Sequence, residues 1–162
     1  MIKRMIVPVV TFLLFSIAAF GAGGNVDFSG EWKLDKEKTD LSGSQLILAK
    51  MKITHKGNSL MTERTYENDY GEQYPFEENL TLDGKESNIV IYEMPRKTTA
   101  LWSEDGKTLI ISSTTKYYSD SGEGEFSVKE TWSLKEKGTV LSIDYTGSSS
   151  YGTNSGTYFF KK

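Results

Sequence analysis

Apolar and polar residues alternate along most of this chain, and this period of two constrains its fold more than any other feature. Two segments show it most clearly, with apolar or small residues on one parity: Phe28, Gly30, Trp32 and Leu34 in the first, and Phe126, Val128, Trp132 and Leu134 in the second. Successive side chains of a β-strand point to opposite faces, so this pattern predicts strands with one buried face. Helical periodicity is hard to find, although the aliphatic cluster at 45–51 could form a single helical turn instead of a strand.

Turn signals separate the alternating segments at fairly regular intervals. Each contains a glycine, which supplies the positive φ that tight hairpins require: Gly57, Gly84, Gly106 and Gly138. The predicted strands are 28–34, 46–56, 59–67, 74–82, 87–94, 97–103, 108–118, 124–134, 139–148 and 156–161, with longer loops at 35–45, 68–73, 119–123 and 149–155. A meander of this length leaves two unpaired edges unless it closes on itself. We therefore predict an all-β fold, an antiparallel up-and-down β-barrel of eight to ten strands, with a two-sheet sandwich as the alternative.

The N-terminal segment has the layout of a secretory signal peptide. Lys3 and Arg4 precede an almost wholly apolar run at 6–20, and small residues follow it. A run of about 15 residues is short for a membrane span of roughly 20. We predict cleavage near Gly21 and an exported protein, periplasmic or secreted, with no transmembrane segment left; an uncleaved N-terminal anchor is the alternative. The predicted organisation is a signal peptide at 1–21 and a barrel domain at 22–162.

Composition limits the partners of the mature domain. Once Lys3 and Arg4 are removed with the signal, 17 of the 19 basic side chains remain against 22 acidic ones, a net charge of −5. Nucleic-acid binding needs a basic face, so this balance argues against nucleic acid as a partner. The chain has no cysteine, so no disulfide supports the exported domain and its apolar core must stabilise it.

The first predicted strand carries a Gly-x-Trp motif, Gly30-Glu31-Trp32, which resembles the opening of the lipocalin-like (calycin) barrels. That group includes lipocalins, fatty-acid-binding proteins and avidins. The same opening, followed by Asp-Gly-Lys turns at 83–85 and 105–107 and an aromatic-basic end at 158–162, is similar to small secreted bacterial lipocalin-like proteins. The resemblance in layout extends over most of the chain beyond residue 27, and it implies a barrel that is closed at one end.

The resemblance also implies how that end is closed. Gly30 would allow a close approach where the barrel narrows, and Trp32 would plug it with a large apolar area. In the family, a cationic side chain from the last strand commonly lies against this ring, a cation–π arrangement. Lys161 is the candidate for that role here, although an arginine would fit the family better.

Several polar residues occupy the apolar parity of their strands. Glu78 and Glu130 do so on the fourth and eighth predicted strands. A two-residue glycine turn after the second strand would pair Met51 with Arg64, which places Arg64 and Tyr66 on the inner face as well. A one-residue slip in that turn would reverse the assignment.

An inward carboxylate is costly unless it is paired and hydrogen-bonded. An arginine that meets one or two glutamates would satisfy this requirement and give a cavity a polar centre for a carboxylate or a hydroxyl-bearing ligand. The candidate ligand site, in which tyrosines add hydroxyl groups, is Arg64, Tyr66, Glu78, Glu130, Tyr117 and Tyr145. The alternative is a bulge or an open barrel rim that lets these side chains reach water.

Other chemistry has little support in the sequence. The single histidine, His55, has no nucleophile elbow and no carboxylates at a recognised zinc spacing, and it is interpreted as a strand-end residue. Phosphate loops, dinucleotide fingerprints and calcium loops are absent, so we expect no cofactor and no metal. Glu78 and Glu130 could in principle act as the acid and base of a hydrolase, which is the enzymatic alternative to a non-catalytic role.

Two functions are compatible with these sequence features. The first is an exported lipocalin-like barrel that binds a small, largely apolar or amphipathic ligand in its cavity without catalysis. The second is a barrel filled by its own side chains that acts through its surface, as an envelope interaction module or an inhibitor. Tyrosine suits protein interfaces, and four tyrosines predicted to lie outside favour the second function: Tyr70, Tyr74, Tyr118 and Tyr151.

Overall fold

The computed structural model describes residues 26–41, 46–119 and 122–162, and this part of the chain is almost entirely β-structure. The ten strands are β1 Gly30–Leu34, β2 Leu46–Lys56, β3 Ser59–Asn68, β4 Gln73–Thr81, β5 Ser87–Ile91, β6 Met94–Trp102, β7 Leu109–Ser119, β8 Gly122–Lys135, β9 Val140–Ser149 and β10 Gly152–Lys161. The helical structure of the described residues is one short 3-10 segment, Glu136–Gly138. The all-β prediction is confirmed.

The strands form one antiparallel sheet that curls into a nearly closed barrel. Its hydrogen-bonded order is β4-β3-β2-β1-β10-β9-β8-β7-β6-β5. β1 pairs with β2 on one side and with β10 on the other, so the first strand joins the last, as the barrel prediction requires. The free edges are β4 and β5, which are consecutive in the chain. The fold is therefore a barrel with a seam between these two strands, and the sandwich alternative is wrong.

Isolated contacts connect the two sides of this seam. At one end, Tyr92 in the turn after β5 donates its hydroxyl hydrogen to the Pro75 carbonyl oxygen on β4 at 2.6 Å. The rings of Tyr92 and Tyr74 meet edge to face there, with their centroids 6.2 Å apart. At the other end, the Gly84 N–H donates to the Ala100 carbonyl oxygen at 2.9 Å and ties the β4–β5 connection to β6. The seam is thus bridged at both ends.

Strand boundaries agree with the sequence prediction except near the C-terminus and at the β5–β6 turn. The segment 45–51 is strand from residue 46 onward, with a bulge between Leu48 and Lys50, and it is not a helical turn. The predicted loop 149–155 is wrong, because β10 begins at Gly152 and pairs directly with Ser149. This end of β10 is polar and exposed, so backbone pairing with β9 holds it in the sheet without a buried face.

The hairpin between β2 and β3 has the predicted two-residue turn. Gly57 adopts a φ of 57°, and the flanking pairs include His55 with Leu60 and Met51 with Arg64, which confirms the predicted register. The β5–β6 turn has no glycine at its positive-φ positions, because Tyr92 and Glu93 adopt φ values of 48° and 67° there. The absence of glycine explains why the sequence places this turn a few residues too late.

Large aromatic side chains fill the closed end of the barrel. Trp32, Trp132, Phe28 and Phe160 are fully buried. The indole N–H of Trp32 donates to the Phe28 carbonyl oxygen at 2.9 Å, so its one polar group is satisfied. The ring of Phe28 packs edge-on against Trp132 at 5.9 Å. Trp32 therefore plugs this end of the barrel, as the Gly-x-Trp motif implies.

The cation over this tryptophan is Lys162 and not Lys161. The ammonium nitrogen of Lys162 lies 4.9 Å from the centroid of the Trp32 ring, and a Cβ on Gly30 would meet the Lys162 side chain at 2.8 Å. Lys161 instead pairs with the Asp35 carboxylate at 2.8 Å. The reason is strand alternation: Phe160 points inward, so Lys161 points outward and Lys162 returns to the side of Trp32.

The predicted signal peptide at 1–21 lies outside the described residues. Within the described ranges, no helix has the length and apolar character that a membrane crossing requires.

Replacing Trp32 should test the closed end. We expect Trp32→Ala to lower the free energy of unfolding by about 3–5 kcal/mol, because it opens a cavity in a fully buried site. Urea denaturation, followed by circular dichroism, measures the change. The matched control is Val90→Ala on β5, a 70% exposed position, which should stay within about 0.5 kcal/mol of the parent. Equal losses in both variants would contradict the assignment of Trp32 to the core.

Candidate functional site

Four strands show the same change of chemistry along their inward faces. From the closed end to the open end, an apolar core residue is followed by a charged one and then by a residue that lines a cavity: Leu60, Arg64 and Tyr66 on β3; Leu80, Glu78 and Phe76 on β4; Ala100, Arg96 and Met94 on β6; Trp132, Glu130 and Val128 on β8. The interior therefore has three levels. We call the middle one the polar layer, defined by Arg64, Glu78, Arg96 and Glu130.

Arg64 and Glu130 form a bidentate ion pair inside the barrel. The two terminal nitrogens of Arg64 donate to the two carboxylate oxygens of Glu130 at 2.7 and 2.9 Å. The indole N–H of Trp132 donates to the same carboxylate at 2.8 Å, and the guanidinium lies 5.3 Å from the centroid of the Trp132 ring. Arg64 is 1% exposed and Glu130 7%. This geometry compensates both buried charges and fixes their orientation.

The surroundings set the protonation states of this pair. Burial disfavours the Glu130 carboxylate, but the charge of Arg64, together with the hydrogen bonds from Arg64 and Trp132, outweighs burial and holds the pKa of Glu130 below its ordinary value. Burial also raises the pKa of the neighbouring Tyr66 phenol, although Arg64 acts in the opposite direction. Glu130 is therefore ionised and Tyr66 neutral at physiological pH.

A second ion pair completes the polar layer. Nε and one terminal nitrogen of Arg96 donate to the Glu78 carboxylate oxygens at 3.3 and 3.5 Å, and the other terminal nitrogen donates to the Thr115 hydroxyl at 3.3 Å. The guanidinium also lies 5.6 Å from the centroid of the Phe76 ring. This pair crosses the seam, because Glu78 is on β4 and Arg96 is on β6. Its contacts are longer than those of Arg64 with Glu130.

A cavity of about 970 Å³ lies above the polar layer, at the open end. Aromatic side chains are the largest group in its wall, namely Tyr66, Tyr70, Tyr74, Phe76, Tyr92, Tyr117 and Phe126. Aliphatic side chains add to it, with Leu46, Ile91, Met94 and Val128. Arg96 and Thr115 are polar groups of the wall, and Asn68 and Asp69 also line it. The arrangement suits an apolar molecule that presents one polar group to the polar layer.

The predicted site residues fall into three groups. Tyr66 and Tyr117 line the cavity. Arg64, Glu78 and Glu130 lie in the polar layer beneath it. Tyr145 does neither: its ring stacks on that of Tyr158 with centroids 4.9 Å apart, outside the residues that line the cavity. Tyr145 is therefore a packing residue of the wall formed by β9 and β10.

Glu78 and Glu130 are not placed as an acid–base pair. Each is bonded to its own arginine, Arg96 and Arg64 respectively. A general acid needs a proton to give, and the low pKa of Glu130 removes that capacity at neutral pH. Within the described residues, no group of His, Cys, Asp and Glu is placed to hold a metal ion. The two glutamates are therefore placed to neutralise arginines and not to exchange a proton with a substrate.

Sequence reasoning missed Arg96 and much of the aromatic wall. The sixth predicted strand begins at residue 97, which leaves Arg96 outside it. Correct placement of the β5–β6 turn would put Arg96 on the inward parity of Thr98 and Ala100. Tyr74, predicted to lie outside, also lines the cavity, because the β3–β4 hairpin forms part of its mouth, whereas Tyr70 lies at the edge of that mouth and is 90% exposed, as predicted. The sequence signal that could identify such residues is therefore the inward parity, followed along the full length of each strand.

Removing one partner of the Arg64–Glu130 pair should cost more than removing both. Glu130→Gln leaves a buried guanidinium without its counter-ion, and we expect a loss of about 3–5 kcal/mol in the free energy of unfolding. The double variant Arg64→Met/Glu130→Leu should recover much of that loss, because apolar side chains leave no charge to compensate. Urea denaturation of the single and double variants measures the coupling. Additive losses in the single and double variants would contradict a coupling between Arg64 and Glu130. The exposed Lys52–Glu63 pair, at 2.8 Å, is the control, in which Glu63→Gln should have little effect on the free energy of unfolding.

The lowered pKa of Glu130 predicts a specific pH dependence. A carboxylate whose pKa is lower in the folded state stabilises the fold when the pH is above its pKa in the unfolded state, about 4.3 for a glutamate. This contribution is lost as the pH falls through the pKa of the folded state. We expect the stability of the parent protein to decrease more steeply between about pH 5 and pH 3 than that of Arg64→Met/Glu130→Leu. Other carboxylates are shared by both proteins, so the difference isolates Glu130. Parallel curves would contradict the prediction.

Comparison with known proteins shows a likeness of fold. No protein-family model matches this sequence, and no curated protein matches it at a significant level. Among solved structures, the chain is similar to zebrafish ileal bile acid-binding protein complexed with cholic acid, with a TM-score of 0.52 and 15% sequence identity. The match covers 83% of this chain and 98% of the zebrafish chain. At this identity the likeness shows a shared fold alone, the nearly closed antiparallel barrel.

Proposed function

We propose that this chain is an exported, lipocalin-like barrel protein that binds a small, largely apolar ligand in its cavity without covalent chemistry. The cavity of about 970 Å³ above the polar layer is the observation that carries the proposal. Its size is close to the upper end of the range of about 300–1,000 Å³ that is typical of small-molecule sites.

The wall of the cavity explains how such a ligand would be held. Burial of apolar surface stabilises a complex by roughly 25 cal/mol per Å², and the aromatic wall offers that surface without a charged group on most sides. Tyr66 and Phe76 stack face to face with ring centroids 6.0 Å apart, which gives part of the wall a defined shape. The zebrafish neighbour was solved with cholic acid, a molecule with a large apolar body, and this supports an apolar ligand for the present barrel.

The location of the protein is part of the proposal. The basic start, the apolar run at 6–20 and the small residues after it support export. The resemblance of the Gly30-Glu31-Trp32 opening to secreted bacterial lipocalin-like proteins supports the same location.

The filled-barrel alternative has less support. Of the four tyrosines that favour a surface function, Tyr74 lines the cavity, and Tyr70 lies at its mouth and is 90% exposed. Tyr118 and Tyr151 are also exposed, at 66% and 79%. These three exposed tyrosines lie at the ends of three different hairpins and do not form an interface on their own.

Filling the cavity should weaken binding. Val128 lies on the cavity wall, so we expect Val128→Trp to weaken binding of the neutral apolar dye Nile red by at least about tenfold. Fluorescence titration measures the dissociation constant. The matched control is Val90→Trp, at an exposed outward position of β5, which should bind as the parent does. Unchanged binding by Val128→Trp, or no binding by the parent, would contradict the proposed function.

A further inference from the structure

Neither arginine of the polar layer offers a free charge to a ligand. Glu130 compensates the charge of Arg64 and holds both of its terminal nitrogens, and the remaining Nε is buried with no hydrogen-bond partner among the described residues. All three nitrogens of Arg96 have partners, two on Glu78 and one on Thr115. The layer therefore contains two cations and two carboxylates that compensate one another, and an anionic ligand group would find no counter-ion there.

The mouth of the cavity adds negative charge. Asp69 lines it. Glu72 accepts hydrogen bonds from two further lining residues, from the Asn68 amide at 2.7 Å and from the Tyr74 hydroxyl at 2.9 Å, and these bonds hold the pKa of Glu72 below its ordinary value. A carboxylate ligand would have to pass these acidic groups and then lose its hydration without a partner.

Uncharged hydrogen-bonding groups line the cavity instead. The Thr115 hydroxyl lines it, and because this group accepts the hydrogen bond from Arg96 at 3.3 Å, it keeps its own hydrogen to donate. The hydroxyls of Tyr66 and Tyr117 also lie on the cavity wall. A hydroxyl can donate or accept, so these groups complement a neutral polar group of a ligand.

Given the proposed ligand-binding function, we propose that the cavity selects an uncharged amphiphile, an apolar body with a hydroxyl or carbonyl group, and that Glu78 determines this selectivity by neutralising Arg96. Arg96 is the cation that lines the cavity, whereas Arg64 lies beneath it. The contacts of Arg96 with Glu78, at 3.3 and 3.5 Å, are also longer than those of Arg64 with Glu130, at 2.7 and 2.9 Å. Glu78 is thus the residue whose charge decides whether the cavity wall is cationic.

A series of three compounds with the same alkyl chain tests the proposal: 1-dodecanol, dodecanoate and dodecylammonium. Each is used to displace Nile red from the parent protein at about pH 8, where a free carboxylic acid is ionised, at concentrations that keep it monomeric. We expect 1-dodecanol to bind at least about tenfold more tightly than dodecanoate, because the anion gains no counter-ion. Dodecylammonium should also bind more weakly than the alcohol, because its charge would lose hydration beside carboxylates that are already paired with arginines.

Two variants of neighbouring glutamates on β4 test the role of Glu78. Glu78→Gln frees the charge of Arg96, so we expect the preference for 1-dodecanol over dodecanoate to fall by at least about tenfold. Glu77→Gln removes a carboxylate of the same strand that is exposed and points outward, so the preference should not change. Circular dichroism and Nile red binding confirm that each variant is folded.

Each outcome supports or overturns a defined part of the proposal. Tighter binding of either charged compound to the parent overturns the selectivity for uncharged ligands, and this comparison does not depend on whether a variant folds. An unchanged preference in folded Glu78→Gln overturns the role of Glu78. In both cases Nile red still binds, so the proposed function survives. Absence of Nile red binding by the parent contradicts the proposed function itself.

Discussion

The ion pair between Arg64 and Glu130 is the interaction on which the interior of this barrel depends. β3 and β8 are separated by four other strands in the sheet order, so the pair crosses the barrel instead of following the sheet. Two buried charges are tolerated because the contact is bidentate and because Trp132 supplies a further hydrogen bond. Below the pair the interior packs as an aromatic and aliphatic core, and above it the same strands enclose a cavity.

Much of the fold was predictable because a single rule generates it. Alternation places one residue in two inside the barrel, and turns with glycine set the register between neighbouring strands. Met51 opposite Arg64 follows from those two rules alone, and the structure has this pair. The pairing of β1 with β10 follows as well, since a long meander avoids free edges by closing.

The wrong predictions arose where the local sequence contains no feature that marks a turn or an inward position. In the β5–β6 turn, Tyr92 and Glu93 adopt positive φ without a glycine. The predicted start of the sixth strand was therefore too late, and Arg96 was left out of the predicted site. Lys161 was predicted in place of Lys162 because the alternation of the last strand was not followed beyond Phe160, which points inward. Which arginine would meet which glutamate, and whether side chains would fill the upper barrel, depends on distances across the interior that no pattern along the chain encodes.

The position of the seam has a consequence for how copies of this chain behave beside one another. A free sheet edge is a template on which another chain can add a strand, which is a common route to aggregation. Here the two edges are an adjacent pair, and β5 is only five residues long. β4 carries Pro75, which has no N–H to donate, and its carbonyl oxygen is already occupied by the Tyr92 hydroxyl. The seam between β4 and β5 is therefore a poor template for a strand of a neighbouring molecule.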